Sequence, residues 1–454
     1  MSDKKTVSFK TFGCKLNQYD TDFLIQSFED AGYETRVAGP SDIVVINTCA
    51  VTSRSAAKCR QAIRAAARSG AKVLVTGCYA QVAYEEIASI PGVIGVTGVV
   101  NRSGLVDVAE RALSDGAKVV EVKPHGEEAV FEETPVRKPS LTRAFLKIQE
   151  GCNDYCTYCI VPYARGPSRS RPLEDILLEA RELVERGYKE IILTGTHLGL
   201  YGKDFARDIC GHSDACAGHG FSLADVIHSL TQIDGLLRLR ISSLEPHDVT
   251  PDLIDCFRYP EVCHHIHLPL QSGSDRILKS MGRRYDVATF LQLVKDVRKV
   301  APDIGISADI IVGFPGEKDS DFEDTLNVMR TAGFSRVHVF QYSPRPGTPA
   351  SRFSAKVPER EKEKRSKEAI SLGRKLSLEF HERLLGRRIE VLVEEDKTRD
   401  GLLQGVTRNY VKVWFEGPEE LQGQIIEVLP QEARYDGLIA TCSNRAVCGC
   451  DYSN

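Results

Sequence analysis

The 454-residue chain has no apolar run approaching the roughly 18 residues that a membrane-spanning helix needs. Its start, MSDKKTVSFKTFGC, passes from a short polar lead into a strand-like segment without the apolar core of a secretory leader. Both absences speak against secretion and membrane spanning, and the expected location is the cytoplasm. A dominant charge sign is lacking too: 59 basic residues face 63 acidic ones, a formal net charge of -4, which is too small to name a partner. No internal repeat or low-complexity tract stands out. With 42% hydrophobic and 27% charged residues, neither a disordered chain nor a fibre fits. Cysteine, by contrast, is abundant. Fourteen of them without a leader suggest a reducing compartment, where thiols bind metal, do chemistry or pack.

The pattern divides the chain into three parts. From residue 7 to about 113, the apolar runs VSFKTF, DIVVIN and KVLVT alternate with helical stretches at 19–31, 53–69 and 82–89, as a parallel α/β unit does. The stretch PHGEEAVFEETPVRKPS has no period and marks a boundary. Six strand candidates follow: AFLKI, EIILT, RLRIS, HIHLP, GISADIIV and RVHVFQY. Helical patterns at 173–187, 223–233, 251–257, 287–300 and 322–332 separate them, which fits a partial (βα)6 barrel with its chemistry at the C-terminal strand ends. A doubly wound open sheet is the alternative that periodicity leaves open. A long charged helix is expected over 356–388, then five short β segments, RIEVLVEE, GLLQGVT, YVKVWFE, GQIIEVLPQ and GLIATCSN, forming a small all-β barrel. The fold class is therefore α/β, with domains at 4–116, 138–370 and, after the basic helix, 372–443.

Directly after the first barrel strand stands EGCNDYCTYCIVP, which places Cys152, Cys156 and Cys159 in one loop with C-x3-C-x2-C spacing. Three thiolates on a four-iron cluster leave one iron open to a substrate or cofactor, whereas a four-thiolate electron carrier is closed. A zinc knuckle is the bland alternative, but structural zinc sites usually pair C-x2-C with a distant second pair. Three further cysteines sit singly beyond apolar strands: Cys14 in FGCKLNQ, Cys49 in INTCAV and Cys78 in TGCYAQ. Strand ends of a parallel sheet lie along one edge, so these three can converge, with Asn17 and Asn47 beside them as supporting donors or helix caps. Buried strand-end cysteines are the competing reading.

The loop around Cys152, Cys156 and Cys159 resembles the C-x3-C-x-aromatic-C motif of radical S-adenosylmethionine (SAM) enzymes. That resemblance implies a 4Fe-4S cluster whose unique iron takes the amino and carboxylate groups of SAM, with reductive cleavage giving a 5′-deoxyadenosyl radical. Other strand ends then become SAM candidates. Gly195 in ILTGTH is placed for the methionyl amine, and Ser243 and Glu245 in ISSLEP for the ribose. Gln271, Ser272, Asp309 and Gly313, in HLPLQSGSD and ADIIVGFPGE, are placed for the adenosine, although tight turns and caps use the same residues.

Taken with that loop, FGCKLNQYDTD, VVINTCAVTSRS and VTGCYAQ resemble the N-terminal domain of the methylthiotransferases, a family of two-cluster radical SAM enzymes. The resemblance spans nearly the whole chain and implies an auxiliary 4Fe-4S cluster on Cys14, Cys49 and Cys78, and a C-terminal TRAM-like RNA-binding barrel. TFGCKLNQYDTD, IVPYARGPSRSRP and LTGTHLGLYGKD look most like the branch that converts N6-threonylcarbamoyladenosine at tRNA position 37 into its 2-methylthio derivative. The isopentenyladenosine-directed branch and the ribosomal-protein aspartate branch are the alternatives. On the family model one SAM methylates sulfide at the auxiliary cluster, and a second supplies the radical that removes the adenine C2 hydrogen. Two SAM per turnover, an external electron donor and the tRNA anticodon stem-loop are thus implied, while the sulfur donor stays open. A noncatalytic iron-sulfur RNA-binding or electron-transfer protein is the reading from another class.

RNA contact is expected from Arg408, Tyr410, Lys412 and Trp414, which would share one face if the segment were a single alternating strand. RKPSLTR and RGPSRSR add Arg137, Arg143, Arg165, Arg169 and Arg171 as phosphate partners at the active-site mouth. The long segment KDFARDICGHSDACAGHGF reads as an insertion, and its Cys210, His212, Cys216 and His219 have zinc-ligand chemistry, though an exposed loop explains them equally. Cys442, Cys448 and Cys450 are treated in the same way, and Cys59, Cys256 and Cys263 as packing residues.

Overall fold

The computed structural model describes residues 5–37, 39–126, 130–205 and 221–442. The expected set at Cys210, His212, Cys216 and His219, together with Cys448 and Cys450, lies outside the described residues.

The N-terminal part is one parallel sheet of β1 (Thr6–Thr11), β2 (Glu34–Arg36), β3 (Ile43–Thr48), β4 (Lys72–Gly77), β5 (Val93–Thr97) and β6 (Val119–Glu121), in the order β2-β1-β3-β4-β5-β6. β3 is buried at all six positions, the reason IVVINT reads as a continuous apolar run rather than an alternation. The register aligns Thr11 with Asn47, and Asn47 with Thr76, so β1, β3 and β4 end level with one another. Whatever follows these strands emerges at one edge of the sheet.

The central part comprises β7 (Ala144–Glu150), β8 (Arg169–Ser170), β9 (Glu190–Gly195), β10 (Arg238–Ile241), β11 (His265–His267), β12 (Gly305–Val312) and β13 (Arg336–Gln341). β8 is a short antiparallel addition to β7. The other six run parallel in chain order, with β10 and β11 joined by single bridges at Leu239–Val262 and Ser243–His267. A doubly wound sheet needs a point where strand order reverses, and this sequential order has none. The helices between the strands pack their apolar faces on this sheet in one large core. They are locally capped: Ser222 forms a capping box with Asp225, and Asp286 accepts from the Thr289 amide at 2.8 Å.

The charged helix spans Glu359–Glu382, starting later than 356 because Pro358 occupies its N-cap. It lies along β13, where a Cβ on Gly373 would stand 3.2 Å from Val337. Beyond it β14 (Ile389–Lys397), β15 (Leu403–Thr407), β16 (Lys412–Phe415), β17 (Ile425–Arg434) and β18 (Gly437–Cys442) close a barrel in the order β14-β15-β16-β18-β17. Among the described residues no helix is long and apolar enough to cross a membrane.

The terminal barrel docks on the N-terminal ends of the central strands. Arg238 donates to Glu390 at 2.7 Å and to the Val406 carbonyl at 3.0 Å, and Arg240 donates to the carbonyls of Thr407 and Arg408. Two fully buried arginines in a four-residue strand are thus explained by partners from another domain.

Candidate active site between two cysteine triads

The loop after β7 is shaped by backbone that only certain residues permit. Gly151 has φ +83°, and a Cβ there would lie 1.8 Å from the Pro167 carbonyl oxygen, so no side chain fits. The Cys152 amide donates to Gly166, and the Cys159 amide to Cys156. Burial pushes the Cys156 and Cys159 thiols upward, and the Cys156 and Cys152 sulfurs beside Cys159 push it further. Thiols pushed upward in this way become thiolates only against a strong cation, which is the chemistry of a metal-cluster donor set. Arg283 supports one of them: its Nη1 lies 3.4 Å from Cys156 Sγ, and its Nη2 pairs with Glu245.

The other three cysteines emerge where the sheet register puts them. Cys14 caps the helix Lys15–Asp30 after β1, Cys49 directly follows β3, and Cys78 opens the helix Cys78–Val82 directly after β4. Burial raises the Cys49 thiol to about 12, and the Cys78 and Cys14 sulfurs add to that shift. Gly13 permits the approach, since a Cβ on it would stand 3.2 Å from Cys49 Sγ. Asn17 pins the loops by donating to the carbonyls of Phe12 and Thr48, and Asn47 donates to the Asn17 carbonyl. Both asparagines support the site as expected, by bridging loops rather than by capping a helix. Each triad therefore fits a three-thiolate cluster.

Arg165 links the Cys78 loop to the end of β7, which leads into the Cys152 loop. Its Nε donates to Cys78 Sγ at 3.2 Å, its Nη1 to Glu150 at 2.7 Å, and its Nη2 to Asn17 at 2.6 Å and Asp20 at 3.0 Å. Arg102 and Lys147 pair with the same two carboxylates, and all five charged groups are almost fully buried. The surrounding cations hold the Glu150 carboxyl well below the usual range although burial opposes them. Arg165, Arg169 and Arg171 are thereby corrected as phosphate contacts. They are 2%, 6% and 2% exposed, and Arg171 is committed to Glu179 and Glu133. Arginines in a polar-looking stretch read as surface residues until the acids that pair with them, Asp20 and Glu150 for Arg165 and Glu179 and Glu133 for Arg171, are placed. Arg137 pairs at the surface with Asp30, and Arg143 precedes β7, at the end of the barrel away from the cysteine loop.

The remaining candidates also have places. Gly195 ends β9, and Ser243 is exposed and bridges to His267. Glu245 is held by Arg283 beside Cys156. Gln271 is buried with φ 63° and bridges to Ile310, while Ser272 turns toward Thr325 on helix Asp319–Ala332. Asp309 pairs with His267 at 3.2 Å, and the Gly313 amide donates to Glu317. His197, Asp248 and Arg283 were missed. His197 Nδ1 lies 3.4 Å from Cys152 Sγ and its Nε2 2.6 Å from Asp248. Burial lowers the His197 pKa, but the bond to Asp248 and the Cys152 sulfur outweigh it and raise it to about 10. The signal was legible in ILTGTH, where a histidine stands two residues beyond a barrel strand.

The four residues expected on one RNA-facing strand are split. β16 begins only at Lys412, and Tyr410 stands before it in a turn with φ 68°. Arg408 donates to the Pro260 and Val262 carbonyls, and the Tyr410 ring lies 4.4 Å from that of His265. Both hold the domains together, which corrects Arg408 as a free RNA contact, while Tyr410 also lines the cavity beside Lys412 and Trp414. Lys412 and Trp414 alternate on β16 and line a cavity of about 310 Å³ with Arg336, Arg374 and Tyr435. Cys59, Cys256 and Cys263 are buried packing residues.

Comparison with known proteins agrees with this arrangement. The Radical SAM superfamily model matches residues 146–329, and the model described as uncharacterized protein family UPF0004 matches residues 6–98. Threonylcarbamoyladenosine tRNA methylthiotransferase MtaB of Bacillus subtilis is 39% identical, over 95% of this chain and 94% of its own length. The tRNA-2-methylthio-N(6)-dimethylallyladenosine synthase of Acetivibrio thermocellus is 35% identical, over 94% of this chain and 88% of its own. Among solved structures, the radical SAM methyltransferase TsrM of Kitasatospora setae matches in fold, with TM-score 0.54 and 14% identity over 77% of this chain and 74% of its own. An enzyme rather than a passive iron-sulfur carrier is what these similarities identify, and the chain belongs to the radical SAM methylthiotransferase family.

Proposed function

We propose that the protein replaces the C2 hydrogen of N6-threonylcarbamoyladenosine at tRNA position 37 with a methylthio group. One 4Fe-4S cluster would be held by Cys152, Cys156 and Cys159, and an auxiliary one by Cys14, Cys49 and Cys78. The observation that supports this reading is the placement of one thiol triad at the strand ends of each domain, with Arg165 bridging from Cys78 to the strand that leads into Cys152. Adenine C2 carries an unactivated hydrogen that acid-base catalysis cannot replace with sulfur. When bound, the two clusters and two SAM molecules supply the carbon radical and the methyl group that this position demands.

The chain's own residues position and shield. Gly195, Ser243, Gln271, Asp309 and Gly313 stand at or near central strand ends or bridge between strands, and form the proposed SAM-binding set. Glu245, fixed by Arg283, orients the wall beside Cys156. The buried Arg165 network keeps water from the ground between the triads. The cleft of Lys412, Trp414, Arg336, Arg374 and Tyr435 combines cations with aromatic faces, the pairing that RNA backbones and unstacked bases require. It is the proposed contact for the tRNA anticodon stem-loop. Residues 4–116, 138–370 and 372–443 are the corresponding functional units. Names of relatives support the threonylcarbamoyl substrate over dimethylallyladenosine, at 39% against 35% identity.

The test is mass spectrometry of tRNA nucleosides after incubating anaerobically reconstituted protein with SAM, reductant, sulfide and tRNA carrying threonylcarbamoyladenosine. The expected result is 2-methylthio product with 5′-deoxyadenosine and S-adenosylhomocysteine in equal amounts. Deoxyadenosine without methylthio product would refute the substrate.

A further inference from the structure

The helix Leu173–Glu185 ends at Arg186, and Gly187, with φ +90°, turns the chain through Tyr188 and Lys189 into β9. The segment leading into β7 passes beside this turn, where the Tyr188 hydroxyl donates to the Pro139 carbonyl at 2.7 Å. The terminal barrel closes the other side, its Glu395 amide donating to Thr142 Oγ1 at 3.1 Å. Three distant segments thus wall an open groove of about 530 Å³, lined by Arg137, Lys138, Arg186 and Lys189. Arg137 is committed to Asp30. Among the described residues the other three cations pair with no carboxylate, and Glu395 is the one acid in the wall. A cleft lined by one sign of charge focuses its field inward, so this groove attracts anions.

The groove is continuous with two others. It shares Ser140, Leu141, Thr142 and Glu395 with a cavity of about 360 Å³, which in turn shares Arg336, Tyr410 and Lys412 with the Trp414 cleft. The three follow one another along the seam between the terminal barrel and the rest of the chain. The middle one is close to neutral: Glu394 is taken by Arg143 at 2.7 Å, and Arg336 and Lys412 match Glu395 and Asp396 in number. Unmatched cations therefore collect at the two ends. A small anion needs only one end, whereas an extended polyanion occupies both. We propose that this seam is a track for the tRNA sugar-phosphate backbone, in which Lys138, Arg186 and Lys189 bind phosphates outside the anticodon loop. This rests on the reading of tRNA as substrate and extends the contact beyond the Trp414 cleft. The isolated anticodon loop fills one end of the track, and the body of the tRNA fills the other.

An unmodified full-length tRNA transcript and a single-stranded anticodon-loop oligonucleotide are titrated by fluorescence anisotropy against cluster-loaded protein at several salt concentrations. Each phosphate contact on a duplex contributes about 0.9 to the slope of log K against log salt. In K138A/R186A/K189A the slope on full-length tRNA is expected to fall by about 2.7, three such contacts, and the slope on the loop oligonucleotide to stay at the wild-type value. Glu395→Gln, which removes the acid from the groove, is expected to tighten tRNA binding at low salt. A full-length slope equal to wild type in the triple variant overturns the track and leaves the groove to an acidic protein. An equal fall on both RNAs overturns it too, since loss of net charge alone produces that. Should the triple variant unfold at a lower urea midpoint, Glu395→Gln decides, and no gain in tRNA affinity overturns the track. Groove-dependent binding without methylthio product from threonylcarbamoylated tRNA would overturn the functional reading and leave the track standing.

Discussion

Arg165 donates a hydrogen bond to the sulfur of Cys78 at 3.2 Å across the boundary between the N-terminal sheet and the central barrel. The same guanidinium reaches Glu150, two residues before Cys152. A charged donor on a buried sulfur is stronger than a neutral one, and a planar fork can serve sulfur, carboxylate and amide at once. The Cys78 loop and the strand that leads into Cys152 are therefore held by one side chain.

Replacing Arg165 should expose how much rests on it. Arg165→Met leaves Asp20 and Glu150 short of a cation in a dry environment, and the expected loss is about 3–5 kcal/mol of stability. Urea denaturation of the apo protein measures it. Arg165→Lys keeps the charge but lacks the fork, so it is expected to recover only part. A loss within error of zero would contradict the assigned network.

The division of labour between the triads is tested by single cysteines. Cys156→Ala is expected to abolish SAM cleavage, whereas Cys49→Ala is expected to keep cleavage and abolish methylthiolation. Each variant should retain about half the wild-type iron if each triad holds one four-iron cluster. Iron analysis, 5′-deoxyadenosine yield and nucleoside mass spectrometry give the three readouts. Full methylthiolation by both variants would dismiss the proposal.

Acid stability should report on the floor of the barrel. Burial pushes the Glu190 carboxyl up, but Arg240, Arg143 and Arg238 outweigh it and hold it at about 2 against an ordinary 4.5. A depressed carboxyl contributes stability that is complete above its unfolded pKa and fades as pH falls through the folded one. The contribution is about 3 kcal/mol, present above pH ~4.5 and lost towards pH ~2. In Glu190→Gln that pH dependence should be missing from the difference curve. Urea midpoints across this interval decide, and parallel curves for the two proteins would speak against the assignment.

The cleft lined by Lys412, Trp414 and Arg374 should act through phosphate and stacking. Arg374→Ala or Lys412→Ala is expected to weaken tRNA binding and to reduce the salt slope by about 1 each. Trp414→Ala should cost about 1–3 kcal/mol with the slope unchanged. Binding titrations at several salt concentrations separate these effects. A slope unaltered by either cation change would place the RNA elsewhere.

Periodicity sufficed for the long apolar elements but passed over the short strands β2, β5, β6 and β8 and the helix Leu105–Ser114. A six-residue run such as IVVINT is apolar on both faces because a sheet buried on both sides demands it. The Cys152, Cys156 and Cys159 spacing is local, so a single loop determines that these sulfurs meet. The convergence of Cys14, Cys49 and Cys78 was legible for a similar reason, since strands that end level bring their following residues to one edge. What only the tertiary structure decided is the fate of charge. Arg165, Arg169 and Arg171 look like a basic surface in the sequence, and Arg408 and Tyr410 like an RNA-facing strand. Whether a guanidinium meets phosphate or a buried carboxylate depends on which acids the fold brings to it, near in sequence as Glu179 is for Arg171 or far as Asp20 is for Arg165. Hydrophobic burial follows a repeating local rule that the sequence carries along its length, whereas a charge takes its meaning from whichever partner the fold brings to it.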